Sequence, residues 1–362
     1  MSKFLTVEFP DADVAPDKVY EFTLYQRQYQ HDLMKIVFKD WDVSMDSVRP
    51  GTPIQAVITG HLGEKKEHYG YVHHVVPVKS PGKNHIEVVA VGASFPMKQQ
   101  SQAIYKNTTA DEVVRQIGAK HGFAISAIPH PRIFDQIAHA GHTDWQLLVR
   151  LAKQVGYTLR AENTELYFEP ILEDYKNYRD QAPVFTMRHA SNPQGSDLYK
   201  FEPMIGDSID WDGDMKSAAA ISGVDRLAAV PVQHTKPKRA PKTKSKSQLE
   251  FFDRFDTHVV ARDAQTAQYE AEAAEARQSF PYRGQAMVLG HTALRPNMPV
   301  YLSGVGKDHS GFWTVLGTEH HIIESELNVQ KYTVTMEVGT DSLGQEVAWS
   351  NGVSGMPSGQ TK

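Results

Sequence analysis

The chain has 362 residues, of which 40% are hydrophobic and 22% charged, the make-up of an ordinary globular protein too long for one core and therefore expected to form two to four domains. Its net charge of −5 gives no overall attraction to nucleic acid or an anionic membrane, and the absence of cysteine excludes disulfide scaffolds, thiolate zinc sites and cysteine nucleophiles. The opening "MSKFLTVEFPDADV" has no basic-then-apolar leader and no apolar run reaches bilayer length, so synthesis in the cytoplasm as a soluble protein is expected.

From Phe4 to about Phe95 the pattern is short and alternating ("VYEFTLYQRQY", "MKIVFKDW", "PIQAVITG", "YGYVHHVVPV", "HIEVVAVGA"), broken by "RPGTP", "LGEKKE" and "SPGKN". Such segments predict antiparallel strands, and six of them imply a small barrel or sandwich. The period then changes. "NTTADEVVRQIGAKHGF" puts Val113, Val114 and Ile117 on one helical face, with Thr109 and Glu112 in capping-box spacing and Gly122 as a stop. "HTDWQLLVRLAKQVGYTLR" repeats the grammar with Thr143 and Gln146 as the box, an apolar stripe from Leu147 to Val155, and Gly156 at the end. "YTLRAENTELYFEP" follows as a strand pair turning at Asn163, completing a compact α/β module.

Residues 183–235 return to strand-like pieces. Next comes "TKPKRAPKTKSKSQ", in which Lys236, Lys238, Arg239, Lys242, Lys244 and Lys246 lie among prolines and serines with almost nothing apolar. It reads either as a solvated loop or as an arm that docks on an acidic partner surface. "RDAQTAQYEAEAAEARQSF" is a strong helix by propensity, and its small-residue stripe Ala264, Ala267, Ala271 and Ala274 suits close packing between elements or subunits. Strands resume from Gln285 to about Thr340, and "SNGVSGMPSGQTK" reads as a disordered tail.

Two His pairs, "VHHVV" at Val72 to Val76 and "EHHII" at Glu319 to Ile323, raise the choice between a metal site and an internal repeat. The order of motifs favours a repeat. "RPGTPIQAVITG" (Arg49 to Gly60) resembles "RPNMPVYLSG" (Arg295 to Gly304), each followed by a Gly-aromatic strand at Gly70 or Gly311 and a long strand ending in "VGA" or "VGT". Aligned on those glycines, His73 falls opposite Thr314, six positions from His320. Adjacent strand residues point to opposite faces, which is poor geometry for chelation, so the histidines are read as ordinary barrel or interface residues and no metal is expected. "DWDGD" (Asp210, Asp212, Asp214) is read as a solvated turn, because its glycine is misplaced for a calcium loop and Ile221 stands where a bidentate Glu belongs. No hydrolase elbow, zinc-protease helix, phosphate loop or dinucleotide fingerprint is present, so neither catalysis nor a cofactor is expected.

The stretch "GHTDWQLLVRLAKQVGYTLRAENTELYFEP" resembles the signature of phage tail hub proteins of the late-control-D type, "NTTADEVVRQIGAKHGF" the helix before it, and "RPNMPVYLSGVGKDHSGFWTVLGTEHHI" the closing β-domain. The helix from Arg262 to Arg277 sits where that family has an Ala-rich one. The resemblance, shared with the hub part of the valine-glycine-repeat spike proteins of type VI secretion, implies a mixed α+β, mainly β fold in which two related β-barrel tube domains flank a small α/β insert. The expected order is a first tube domain (1–98), the insert (99–175), a β-rich connection (176–235), the basic arm (236–248), a helix with the second tube domain (249–341) and the tail (342–362). It implies a homotrimeric, non-enzymatic adaptor in the virion tail baseplate, joining a sixfold tube to a threefold spike carried on a separate polypeptide. Tube, spike, tape-measure and other baseplate proteins are the implied partners, with no sequence-specific nucleic acid and no membrane insertion. The alternatives are a cell-wall hydrolase at the tail tip and the hub of a non-viral contractile injection particle.

Overall fold

The computed structural model describes residues 4–12, 19–39, 47–80, 83–172, 182–188, 196–204, 219–224, 231–236, 254–255, 263–277, 280, 282–324, 329–341 and 343. The "DWDGD" stretch and most of the basic segment lie outside them.

The first unit consists of β1 (Leu5–Glu8), β2 (Val19–Arg27), β3 (Leu33–Lys39), β4 (Pro53–Thr59), β5 (Lys65–Ser80) and β6 (Lys83–Gly92). They bond in the order β2-β3-β6-β5-β4-β1, every pair antiparallel. Alternation places Phe22 and Leu24, Met34, Ile36 and Phe38, and Ile54, Ala56 and Ile58 in one buried cluster. Each large side chain so buried contributes about 1.5–3 kcal/mol.

The insert runs through β7 (Ala103–Thr109), α1 (Ala110–Lys120), β8 (Ala124–Ala127), β9 (Ile133–His139), α2 (Asp144–Val155), β10 (Tyr157–Glu162) and β11 (Glu165–Pro170), and has its own core. Both predicted capping boxes are present, Thr109 with Glu112 and Thr143 with Gln146. They satisfy helix N–H groups that would otherwise lack acceptors. Gly156 ends α2 in the left-handed region at φ 70°.

The second unit begins with β12 (Val184–Thr186) and β13 (Leu198–Met204). It is interrupted by β14 (Ala219–Val224), β15 (Pro231–Lys236), β16 (Arg254–Phe255) and α3 (Ala264–Arg277), then completed by β17 (Tyr282–Leu289), β18 (Pro299–Ser303), β19 (Gly311–Glu324) and β20 (Gln330–Thr340). Its bonded order, β13-β17-β20-β19-β18-β12, is that of the first unit strand for strand. One departure is that β12 runs parallel to β18.

The duplication extends to individual hydrogen bonds. Gly51 N–H donates to Val72 O (2.7 Å) and Val72 N–H to Thr52 O (2.9 Å), while Asn297 N–H donates to Val315 O (2.8 Å) and Val315 N–H to Met298 O (2.9 Å). Gly51 and Asn297 both hold positive φ, 89° and 63°, a conformation open to glycine and tolerated by asparagine. A bulge follows each ladder at the next residue, His73 in β5 and Leu316 in β19, and a second pair of bulges matches Tyr20 in β2 to Tyr199 in β13. This register corrects the alignment on Gly70 and Gly311. Thr314 corresponds to Tyr71 and Leu316 to His73, because the Gly-aromatic pair opens β19 but lies in the interior of β5.

Neither unit closes into a hydrogen-bonded barrel among the described residues, since no ladder joins β1 to β2 or β12 to β13. The edge that closure of the first unit would use is instead occupied by β19, which makes one sheet of both units.

Candidate assembly interface

The joint between the units pairs β2 with the second half of β19, from Glu21 opposite Ile323 to Arg27 opposite Gly317. Adjacent histidines divide there. His320 points inward and is buried, and because a carbonyl only accepts, its Nε2–H donates to Leu294 O (3.1 Å). Its bare Nδ1 then accepts a hydrogen bond from the Tyr332 hydroxyl at 2.8 Å. Burial holds this imidazole neutral by pushing its pKa down to about 3. His321 points outward, 3.0 Å from Glu21 across the joint, and Lys39 adds a 2.9 Å ion pair to Glu324.

The other pair departs from the alternation expected of a strand. The bulge at His73 breaks the period of two, so both rings are exposed and meet edge to face, Nδ1 to Nδ1 at 2.9 Å. Among the described residues no group of three or more His, Cys, Asp or Glu side chains is placed to hold a metal ion.

The counterparts of the two strand edges mated at this joint, the outer edge of β13 and that of β5 beyond Val72, are left unpaired within the described residues. Tyr199, Met204 and Val76 are exposed along them. Tyr199 also borders an open cleft of about 530 Å³ with Phe4, His61, Leu289 and Tyr332. Sequence reasoning missed these residues. The available signal was the length of β5, 16 residues beside the 7 of β4, since the excess must find another neighbour or remain an edge.

Of the residues singled out from sequence, Ala267, Ala271 and Ala274 are buried inside the chain, whereas Ala264 is exposed. Helix α3 lies on β14, β15 and α2, so the stripe is used within the subunit. The close approach is real: a Cβ added at Gly156 would stand 2.9 Å from Ala273 Cα. Arg132 of the insert fixes the helix further through a 2.5 Å pair to buried Glu270. Lys236 closes β15, and Lys238, Arg239, Lys242, Lys244 and Lys246 fall outside the described residues.

The ionisable clusters of the insert serve packing. Asp144, at the first position of α2, is buried and accepts hydrogen bonds from Lys120 Nζ (3.0 Å), His121 Nε2 (2.7 Å) and Ser101 Oγ. Burial alone would raise its pKa, but these donors hold it below the usual carboxylate range. Glu162 pairs with Lys66 (2.6 Å) and Arg160 (2.7 Å), tying the insert to the first unit, and Asn297 Oδ1 accepts from Leu172 N–H (2.9 Å), tying it to the second. Through these pairs the buried side chains bind the elements of the insert to one another and to both strand units.

The family model for the phage tail baseplate hub (GPD) matches residues 20–326, the whole insert and all of the two strand units except β1 and β20 at their ends. The chain belongs to the phage tail baseplate hub family. The hub also shares its fold with solved tail proteins. It superposes on a tail protein from Neisseria meningitidis at 13% identity, with a TM-score of 0.64 over 93% of this chain and 96% of that one. A prophage tail protein from Shewanella oneidensis matches at 13% identity, with a TM-score of 0.67 over 94% and 99%. A type VI secretion component of E. coli, described as structurally similar to bacteriophage tail proteins, matches at 12% identity, with a TM-score of 0.56 over 93% and 77%. No curated protein sequence matches the hub.

Proposed function

We propose that this hub is a non-enzymatic symmetry adaptor, a homotrimer whose two like units per chain present six equivalent faces to the tail tube and a threefold face to a central spike. The observation that carries the reading is the duplication of strand order, bulges and turn hydrogen bonds between the units. A ring of three chains meets a sixfold neighbour only if each chain supplies two equivalent faces. On this reading each unit is one tube domain, residues 1–98 and 176–341, and the insert at 99–175 braces them. Tube, spike, tape-measure and other baseplate proteins are the partners, and the basic segment at 236–248 meets an acidic surface among them.

Deleting the chain from its phage should abolish tube-bearing tails, and the full chain supplied in trans should restore them, while the purified protein releases no fragments from peptidoglycan. Complete tails formed without the chain would refute the adaptor role. Fragment release that disappears on substituting one carboxylate would instead establish a hydrolase.

A further inference from the structure

The duplication leaves two unmated edges that correspond to the two mated ones. We infer that a second copy of this chain joins them: β13 of one copy pairs antiparallel with the outer half of β5 of the next, and the central residue pair of that joint is Pro203 opposite Pro77. The inference rests on the hub reading above and assigns the contact by which copies meet.

The register follows from the matched bulges. Tyr199 corresponds to Tyr20, so Glu202, Pro203 and Met204 of β13 stand where Thr23, Leu24 and Tyr25 stand in β2. His73 corresponds to Leu316, so Val76, Pro77 and Val78 of β5 stand where Glu319, His320 and His321 stand in β19. Inside the chain, Tyr25 faces Glu319, Leu24 faces His320 and Thr23 faces His321. Between copies the same geometry puts Met204 opposite Val76, Pro203 opposite Pro77 and Glu202 opposite Val78. Met204 and Val76 are large apolar side chains left 45% and 38% exposed, and the joint would cover both.

The prolines sit where their missing N–H matters to a partner and to nothing else. Val72 turns its main-chain N–H and C=O toward the β4 side. Strand β6 pairs without a break along β3, so Ala90, Val88 and Ile86 face alike, and their partners Val72, Val75 and Pro77 all face the outer edge. On the other edge, Leu289 N–H donates to Asp197 O (2.7 Å), and β17 pairs without a break along β20. Gln285 and Arg283 therefore face β13, while Phe201 and Pro203 face outward. The pair Leu24 and His320 is of the hydrogen-bonded kind in the internal joint; Pro203 and Pro77 can make neither bond. A chain with two complementary bare edges would grow head to tail without a template, and proline is a residue that blunts such edges. The joint between copies therefore depends on side-chain burial and flanking bonds, and closes when the rest of the tail tip holds the copies together.

The chain contains no cysteine, so paired cysteines report on the joint cleanly. Val78→Cys with Glu202→Cys, in full-length protein assembled into tails, should form intermolecular disulfides under mild oxidation at roughly tenfold the yield of the displaced pair Val76→Cys with Glu202→Cys. Tails that hold several copies but cross-link no better in register than out of it would overturn the joint and leave the hub reading standing. Tails with a single copy would overturn both. Separately, Pro77→Thr with Pro203→Thr should raise the self-association constant of the purified chain by about tenfold or more, since two central hydrogen bonds become available. Unchanged association in a variant with native circular dichroism would overturn the proline block.

Discussion

Acidification from pH 6.5 to 4.5 should destabilise the folded hub by about 5 kcal/mol, with urea midpoints falling accordingly. Three deeply buried imidazoles carry most of the effect, and His130 and His291, also lowered by burial, act in the same direction. Burial pushes the pKa of His31 down to about 4 and those of His68 and His320 to about 3, so each stays neutral in the folded chain through this window while its unfolded counterpart takes up a proton. A depressed folded pKa means that stability is fully present above the unfolded value near 6.5 and is lost as pH falls toward the folded one.

Asp32 opposes them. Its residue is only partly covered, but its carboxyl end is enclosed; burial pushes its pKa up to about 7 against the hydrogen bond from Gln26. The folded chain then keeps a proton that the unfolded chain releases, which favours folding on the acid side. Three deeply buried imidazoles against one carboxyl leave a net uptake of about two protons on unfolding in the acid half of this window, or roughly 3 kcal/mol per pH unit there. A His320→Gln variant should show a shallower slope by about one proton. Equal urea midpoints at pH 6.5 and 4.5 would contradict this balance.

Replacing Asp144 by alanine should cost the insert about 3 kcal/mol, because it strips a buried carboxylate from buried His121 and from Ser101, while the half-exposed Lys120 turns to water. Asp144 joins the end of α1, through Lys120 and His121, to the start of α2, and reaches back to Ser101 before β7. Its position in the first turn of α2 also places negative charge at the positive end of the helix dipole. Asp144→Asn keeps the shape and loses the charge, so it should fall between wild type and alanine. Hydrogen exchange in α1 and α2 reads the effect where it arises, and protection within a factor of about ten of wild type in the alanine variant would sink the assignment.

Where the chemistry is local, the sequence spoke clearly. The boxes at Thr109 and Thr143 and the stop at Gly156 are set by neighbours within a few residues. The repeated Arg-Pro-x-x-Pro turn was legible because its left-handed position demands Gly51 or Asn297. Non-local pairing was not. Strands β7 and β9 lack clean alternation and find each other across α1, and the bulges at His73 and Leu316 shift the register by an amount no motif announces. The partner of the alanine stripe was hidden for the same reason, since α3 meets Gly156 from more than a hundred residues away. The proline edges belong to this class too: Pro77 and Pro203 acquire meaning only once the two units are superposed.

The copy number of the chain in an assembled tail tip tests the account most directly, by native mass measurement or by imaging the tip at a resolution that separates subunits. Three copies forming a ring of six like units, with β13 of each copy against β5 of the next, is the predicted result. Six copies in the ring, or three copies whose two units face the tube inequivalently, would contradict it.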